Sequence, residues 1–371
     1  MGAFDIAFRA PVECSITEQS GRDEVTQVVG RVLRAGIVGY GYMGEIRRAV
    51  VDRSPDLELA GVVEPDAAVR ARAGDVPAFS SLGDLLASGV DAVFVCTPNR
   101  FSPDACVEAM AAGAHVFCEK PPGRSVSDIE RIREAEAASP GVKLMFGFNH
   151  RFHPGIIKAK VIVDSGRMGR VIGLRGVYGK SGGVGFKASW RNDKDVSGGG
   201  ILLDQGIHML DLFRYVGGDF ERVKCFVDNT FWGFDIEDNA YVVLHSDSGR
   251  SAMLHSSATL WKHTFRLDVI LEEGYLVVDG LLSKSGSYGR ERIVVGKRQF
   301  EDEAEAVGNP AEEVTYFDRD QSWDLEVAEF AACVLEDRPV AVSSSLDALR
   351  VMEIVEAAYA DAHAGPREAA R

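Results

Sequence analysis

No stretch of this chain stays apolar for anything near the ~20 residues a bilayer-spanning helix needs, which excludes a transmembrane anchor. Residues 1–30 lack a long apolar segment and carry Asp5, Glu13, Glu18 and Asp23. That is unlike a secretory signal, so the expectation is a cytoplasmic protein with an N-terminal extension. Cations are also in short supply. Lys and Arg total 41 against 56 Asp and Glu, a net charge of −15. So acidic a chain repels phosphate backbones and anionic lipid, which argues against a nucleic-acid or membrane partner. The six cysteines include no C-x-x-C pair, so neither a zinc knuckle nor a disulfide framework is expected. Internal repeats and low-complexity tracts are absent too.

What remains is a globular composition, 46 % hydrophobic over 371 residues, enough for two domains. Residues 31–150 alternate short apolar runs with helical stretches. The runs Val32–Val38, Leu57–Val63, Val90–Val95, His115–Cys118 and Val142–Phe148 suit strands buried on both faces of a parallel sheet. Ser102-Pro103 opens one intervening helix and Gly113 closes it; Ser125 with Asp128 predicts a capping box on the next. The expectation is a doubly wound α/β domain.

From 151 to 371 the pattern changes. A helix is predicted over Pro154–Ser165. Strand-like runs follow at Val171–Tyr178, Val223–Val227, Tyr241–His245, Ser251–Ser257, Phe265–Leu271 and Tyr275–Asp279. Turns at Asp247-Ser248-Gly249 and Glu273-Gly274 predict antiparallel hairpins. Ser181–Gly200 is read as a long polar loop, Gln299–Asp320 as acidic and irregular, and Ser322–Leu335 and Leu346–Asp361 as helices. This part predicts an α+β domain on an open, mostly antiparallel sheet.

Four short patterns carry chemistry. Gly39-Tyr40-Gly41-Tyr42-Met43-Gly44 lies between an apolar strand and a helix, the setting a dinucleotide fingerprint requires. Gly39 would permit the tight turn, Gly41 the approach of a pyrophosphate, and Gly44 close helix–strand packing. Glu64, twenty residues after Gly44, would accept hydrogen bonds from an adenosine ribose and repel a 2′-phosphate. No Arg or Lys follows it before Arg70, so NAD is favoured over NADP. Thr97-Pro98-Asn99 and Glu119-Lys120-Pro121 each end a buried strand, where ligands bind in open α/β sheets, although either could be a plain turn. In the block Gly198 to Leu212, Asp204 and His208 stand four apart and would share a helix face. Such a pair suits general acid–base catalysis, and equally a hydrogen-bonded core pair. No third ligand at a familiar spacing supports a metal site.

Taken in order, Gly-x-Gly-x-x-Gly, Glu-Lys-Pro, Asn149-x-Arg151-Phe152 and Asp204-x-Gly206-x-His208 make the chain resemble the glucose–fructose oxidoreductase, inositol dehydrogenase and rhizopine-catabolism family, written Gfo/Idh/MocA. The resemblance covers roughly residues 32–360. It implies a Rossmann domain followed by an α+β domain whose open sheet faces a partner subunit, hence a homodimer or homotetramer. It also implies NAD-dependent oxidation of a secondary alcohol on a small polyhydroxylated substrate, a sugar, nucleotide sugar or cyclitol. Lys120, Asp204 and His208 would line the nicotinamide pocket as the catalytic set, and Arg151, Tyr178 and Arg191 would touch substrate hydroxyls. Trp190, Trp232 and Trp261 are either sugar-stacking surfaces or core and interface residues. Two other roles known among similar proteins stay open: glycoside cleavage through a transient 3-keto sugar, and dinucleotide-dependent regulation without catalysis.

Overall fold

The computed structural model describes residues 31–183, 185–299 and 308–364; the expected extension at 1–30 lies outside them. Six strands form the first sheet: β1 (Leu33–Val38), β2 (Leu57–Val63), β3 (Ala78–Phe79), β4 (Ala92–Val95), β5 (His115–Glu119) and β6 (Leu144–Gly147). All are parallel, in the order β3-β2-β1-β4-β5-β6. Between them run α1 (Tyr42–Val51), α2 (Ala67–Arg70), α3 (Leu82–Ala87), α4 (Ser102–Ala111) and α5 (Val126–Ala138). β4 is buried at every residue and β1 at all but one, which is why these strands read as apolar runs rather than alternations. The expected capping box on α5 forms only in part. Ser125 Oγ accepts from Asp128 N, but the Asp128 carboxylate accepts from Arg124 N.

The chain continues through α6 (Pro154–Asp164), β7 (Val171–Gly179), α7 (Lys194–Ser197), α8 (Ile207–Gly217), β8 (Arg222–Asp228), β9 (Asn239–His245), β10 (Ser251–Ser257), β11 (Thr264–Leu271), β12 (Gly274–Asp279), β13 (Arg292–Lys297), β14 (Glu312–Tyr316), α9 (Ser322–Leu335) and α10 (Ser345–His363). The eight strands form one sheet in the order β14-β13-β12-β11-β7-β10-β9-β8. Both predicted hairpins, β9–β10 and β11–β12, are present. Only the β7–β10 pair is parallel. Besides the two-residue β3, two strands of this sheet escaped the sequence reading. β13 offers just a three-residue apolar run, and β14 lies inside the stretch expected to be irregular. β14 is an edge strand with no buried residue, so it has no apolar face to announce it. The stretch expected as one loop holds short 3-10 turns and α7.

α8 packs across β7, and α6 crosses β12 and β13. The opposite face of the sheet bears Phe226, Tyr241, Val243 and Met253, which the register places side by side on β8, β9 and β10, and, two strands further on, Ile270; all are exposed. α9 returns to the first sheet. The Phe330 ring stands edge-on to Phe94 and Phe117 at 5.7 and 5.6 Å. Among the described residues no helix is long and apolar enough to cross a membrane.

Arg47 of α1 fastens these layers. Its fully buried guanidinium pairs with Glu119 of β5 at 2.5 Å and with Glu326 of α9 at 2.8 Å, and it stacks on Phe117 and Trp323. Removing it would strand two buried carboxylates, so Arg47→Leu is expected to cost about 3–5 kcal/mol in urea unfolding. A loss below ~1 kcal/mol would show that the pair does not hold α9 in place.

Candidate active site

The glycine turn is built as its spacing predicts. Gly39 sits at φ +88°, and a Cβ there would lie 2.8 Å from the Cys96 carbonyl. A Cβ on Gly44 would lie 2.2 Å from the Gly39 carbonyl, so any larger residue pushes α1 off the turn. Gly41, the N-cap of α1, has nothing within 4 Å of its Cβ position. That space, in front of unpaired helix N–H groups, is what a pyrophosphate needs. Tyr42 is exposed in the first turn and Met43 half-buried. Glu64 ends β2 with one oxygen accepting from Tyr40 N at 3.0 Å and the other from Asp66 N at 3.1 Å. Its carboxylate is therefore fixed against the turn. The Arg70 guanidinium donates to the Glu64 and Pro65 carbonyls. These residues fit a bound NAD, which Gly39, Gly41, Gly44 and Glu64 would hold.

Thr97 and Pro98 are half-buried at the end of β4, with Thr97 Oγ1 bonded to Ser102 Oγ. Asn99 is buried, and its amide donates to the Ser197 carbonyl at 2.7 Å, linking the two parts of the chain. Two expectations need correction. Glu119 was expected at the cofactor, but its carboxylate is the partner of Arg47. Arg151 was expected at the substrate. Its guanidinium is instead 3 % exposed, bidentate to Asp211 at 2.6 and 2.8 Å, and bonded to Asp347 at 3.2 Å. A buried cation takes the carboxylates that neutralise it, and these two come from α8 and α10.

Lys120, Asp204 and His208 do come together. Lys120 Nζ donates to the Asp204 carbonyl at 2.7 Å and lies 3.8 Å from its carboxylate. The expected Asp204–His208 pairing is not what forms. Leu202–Gly206 is a widened π-type turn, which breaks the four-residue spacing that would align the two. The Asp204 carboxylate turns to Lys180 at 2.9 Å and Arg191 at 3.1 Å. Burial opposes its charge, but Lys180, Lys120 and Arg191 outweigh this and hold the carboxyl well below the usual carboxylate range.

His208 is buried and stacks face to face on His150, with ring centroids 3.7 Å apart. Its Nδ1 has no partner among the described residues. Burial first, then the charges of Lys120 and His153, pushes His208 well below the ordinary imidazole value of 6.5. His150 is lowered likewise, by burial and by His208, His153 and Lys120. His150 Nδ1 meets Asn149 Oδ1 at 3.0 Å, and its Nε2 meets the hydroxyl of Tyr178 at 3.1 Å. Burial also depresses Lys120; Asp204 opposes this, while Arg191 and Lys180 add to it. Sequence reasoning passed over His150 and Lys180. The first occupied the variable position of Asn149-x-Arg151, and the second is a lone Lys, signalled only by its place at the end of β7.

A model of the oxidoreductase family with an NAD-binding Rossmann fold matches residues 33–148, and one of the GFO/IDH/MocA C-terminal domain matches residues 156–277. The chain belongs to the Gfo/Idh/MocA family. Like its family, it is an NAD-binding oxidoreductase. It is 28 % identical over 207 residues to levoglucosan dehydrogenase of Pseudarthrobacter phenanthrenivorans, a match spanning 52 % of this chain and 53 % of that protein. D-glucoside 3-dehydrogenase of Escherichia coli is 26 % identical across 90 % of this chain and 97 % of its own length. The solved structure of levoglucosan dehydrogenase in complex with NADH superposes with a TM-score of 0.79 at 19 % identity, covering 90 % of this chain and 97 % of that one. At that identity the likeness is one of fold.

Because the Gly41 Cβ position is open, Gly41→Val should fold normally yet block the pyrophosphate. NAD titration should show affinity weakened roughly tenfold or more, with an unchanged thermal melt. Wild-type affinity in this variant would refute the placement of the cofactor.

Proposed function

We propose that the protein interconverts a secondary alcohol and a ketone on a sugar, nucleotide sugar or cyclitol. The observation that carries this reading is the convergence of Lys120, which follows β5 and bonds the Asp204 carbonyl, with His208 of α8, whose imidazole feels the Lys120 charge. The dehydrogenase relatives, named for levoglucosan, D-glucoside and inositol, support a polyhydroxylated substrate. When bound, NAD supplies the hydride acceptor. His208, kept neutral by burial, takes the hydroxyl proton of the reacting carbon. Lys120 holds that oxygen and stabilises the charge that develops on it. Asp204 keeps Lys120, Lys180 and Arg191 in place around the substrate. Tyr178 reaches His150, and so borders the same cluster.

His208→Ala should lower turnover ~10²–10⁴-fold in an NADH-absorbance assay, the usual contribution of a positioned base. Near-normal turnover in both His208→Ala and Lys120→Ala would refute the assignment. The pH profile follows from the directions of the shifts. A base must be neutral to act, and His208 loses its proton below 6.5, so the acid limb of kcat/KM should lie under pH 6.5. Lys120 must stay charged, and its value is lowered from 10.5, so the alkaline limb should fall below that value. A rising limb centred above pH 7 would contradict His208 as the base.

The exposed apolar face of the eight-stranded sheet favours a homodimer or homotetramer built on that face. Phe226 and Tyr241 oppose one another on β8 and β9, 75 % and 44 % exposed. In sedimentation analysis the double variant Phe226→Glu, Tyr241→Glu should run as a smaller species than the parent. An identical sedimentation coefficient for both would rule this face out.

A further inference from the structure

Three cations face one carboxylate at the candidate site. Lys120, Lys180 and Arg191 all lie within 4 Å of Asp204 oxygens, and their side chains are only 17, 17 and 34 % exposed. One carboxylate offers lone pairs to several donors but neutralises a single charge, and excess charge at half-buried positions is costly. The imbalance stands out in a chain whose net charge is −15. The cations are held rather than loose. Arg191 lies over the Trp190 ring at 4.5 Å and Lys180 over Phe186 at 5.7 Å. Arg191 donates to Asp204 through Nε alone, and its Nη1 and Nη2 have no hydrogen-bond partner among the described residues. Arg191 and Asp204 also line a shallow cleft together with Phe186, Asn192 and Phe234.

The other carboxylates on this cleft do not supply the missing charge to these cations. Glu237 accepts from Gly200 N, Leu202 N and the Tyr359 hydroxyl. Asp238 accepts from Phe231 N, Trp232 N and the Asn239 amide. Both are satisfied by neutral donors. Glu119 also acts on Lys120, but its carboxylate is paired with buried Arg47. His263 and Tyr288 add no negative charge near neutral pH; burial and Lys180 lower the first, and burial raises the second to about 12.

We propose that the substrate carries an anionic group, a carboxylate or a phosphate ester, and that the free edge of Arg191 together with Lys180 receives it. A guanidinium edge with two open N–H donors matches the paired oxygens of either group. Arg191 and Lys180 thus select for charge as well as hydroxyls. This inference rests on the oxidoreductase reading, which it narrows from polyhydroxylated compounds in general to acidic ones.

The test is isothermal titration of the full-length, NAD-saturated protein with D-glucose, myo-inositol, D-glucuronate, D-galacturonate and D-glucose 6-phosphate. At least one anion should bind tenfold or more tightly than the neutral sugars, ~1.4 kcal/mol. The preference should weaken as salt is raised. Tighter uronates identify a carboxylate, and a tighter phosphate ester identifies a phosphoryl group. The preference should vanish in Arg191→Gln and in Lys180→Gln but persist in Lys180→Arg, with thermal melts confirming that each variant folds. Equal or weaker binding of every anion, or a preference that survives both Gln variants, overturns the proposal. NADH formation is read separately. Anion preference with no NADH from any bound sugar counts against the oxidation reading alone, whereas NADH from neutral sugars without anion preference counts against this inference alone.

Discussion

The Asp204 carboxylate is the point on which the site depends. Lys120 reaches it from the end of the first sheet, Lys180 from the end of β7, and Arg191 from the loop between β7 and α8. At an effective dielectric constant of about 20, a unit-charge pair at 4 Å interacts by ~4 kcal/mol before desolvation is subtracted. Three such attractions to one group outweigh its burial and hold its carboxyl well below the usual carboxylate range. The two sheets are thereby joined through charge at the place where chemistry is expected. The widened turn over Leu202–Gly206 sets this up by swinging Asp204 away from His208.

The imidazoles are arranged by the opposite principle. His208 and His150 are buried, stacked and without a carboxylate partner, and the charge of Lys120 acts on both. Each environment penalises the imidazolium, so both rings are neutral at physiological pH. His153 makes the contrast: its Nδ1 lies 2.8 Å from buried Glu291. A lowered imidazole near a held ammonium is the division of labour that general-base oxidation of an alcohol requires.

Buried ion pairs elsewhere are structural. Arg47 joins α1, β5 and α9, while Arg151 joins the segment after β6 to α8 and α10. Glu119 and Arg151 both stand inside motifs that suggest ligand contact, yet their charges face inward. A motif gives residue type and order along the chain. It does not say which of its charged side chains points at the ligand.

The glycine turn was legible because its demands are local. Gly39, Gly41 and Gly44 answer to sterics within a few residues, and Glu64 is placed by the length of one strand–helix–strand unit. The parallel sheet was legible because strands buried on both faces are apolar throughout, and the hairpins because their turns are short. β14 was not, since an exposed edge strand needs no apolar face. The sequence by itself determined the nucleotide fold and put forward Lys120, Asp204 and His208 as candidates for the chemistry. Only the tertiary structure decided their partners: Arg151 with Asp211, Glu119 with Arg47, Asp204 with Lys180 and Arg191, and His208 on His150. These contacts join residues 13 to 72 positions apart, and a charge pairs with whichever opposite charge the packed chain brings within reach. Sequence spacing constrains only what one helical turn or one strand can span.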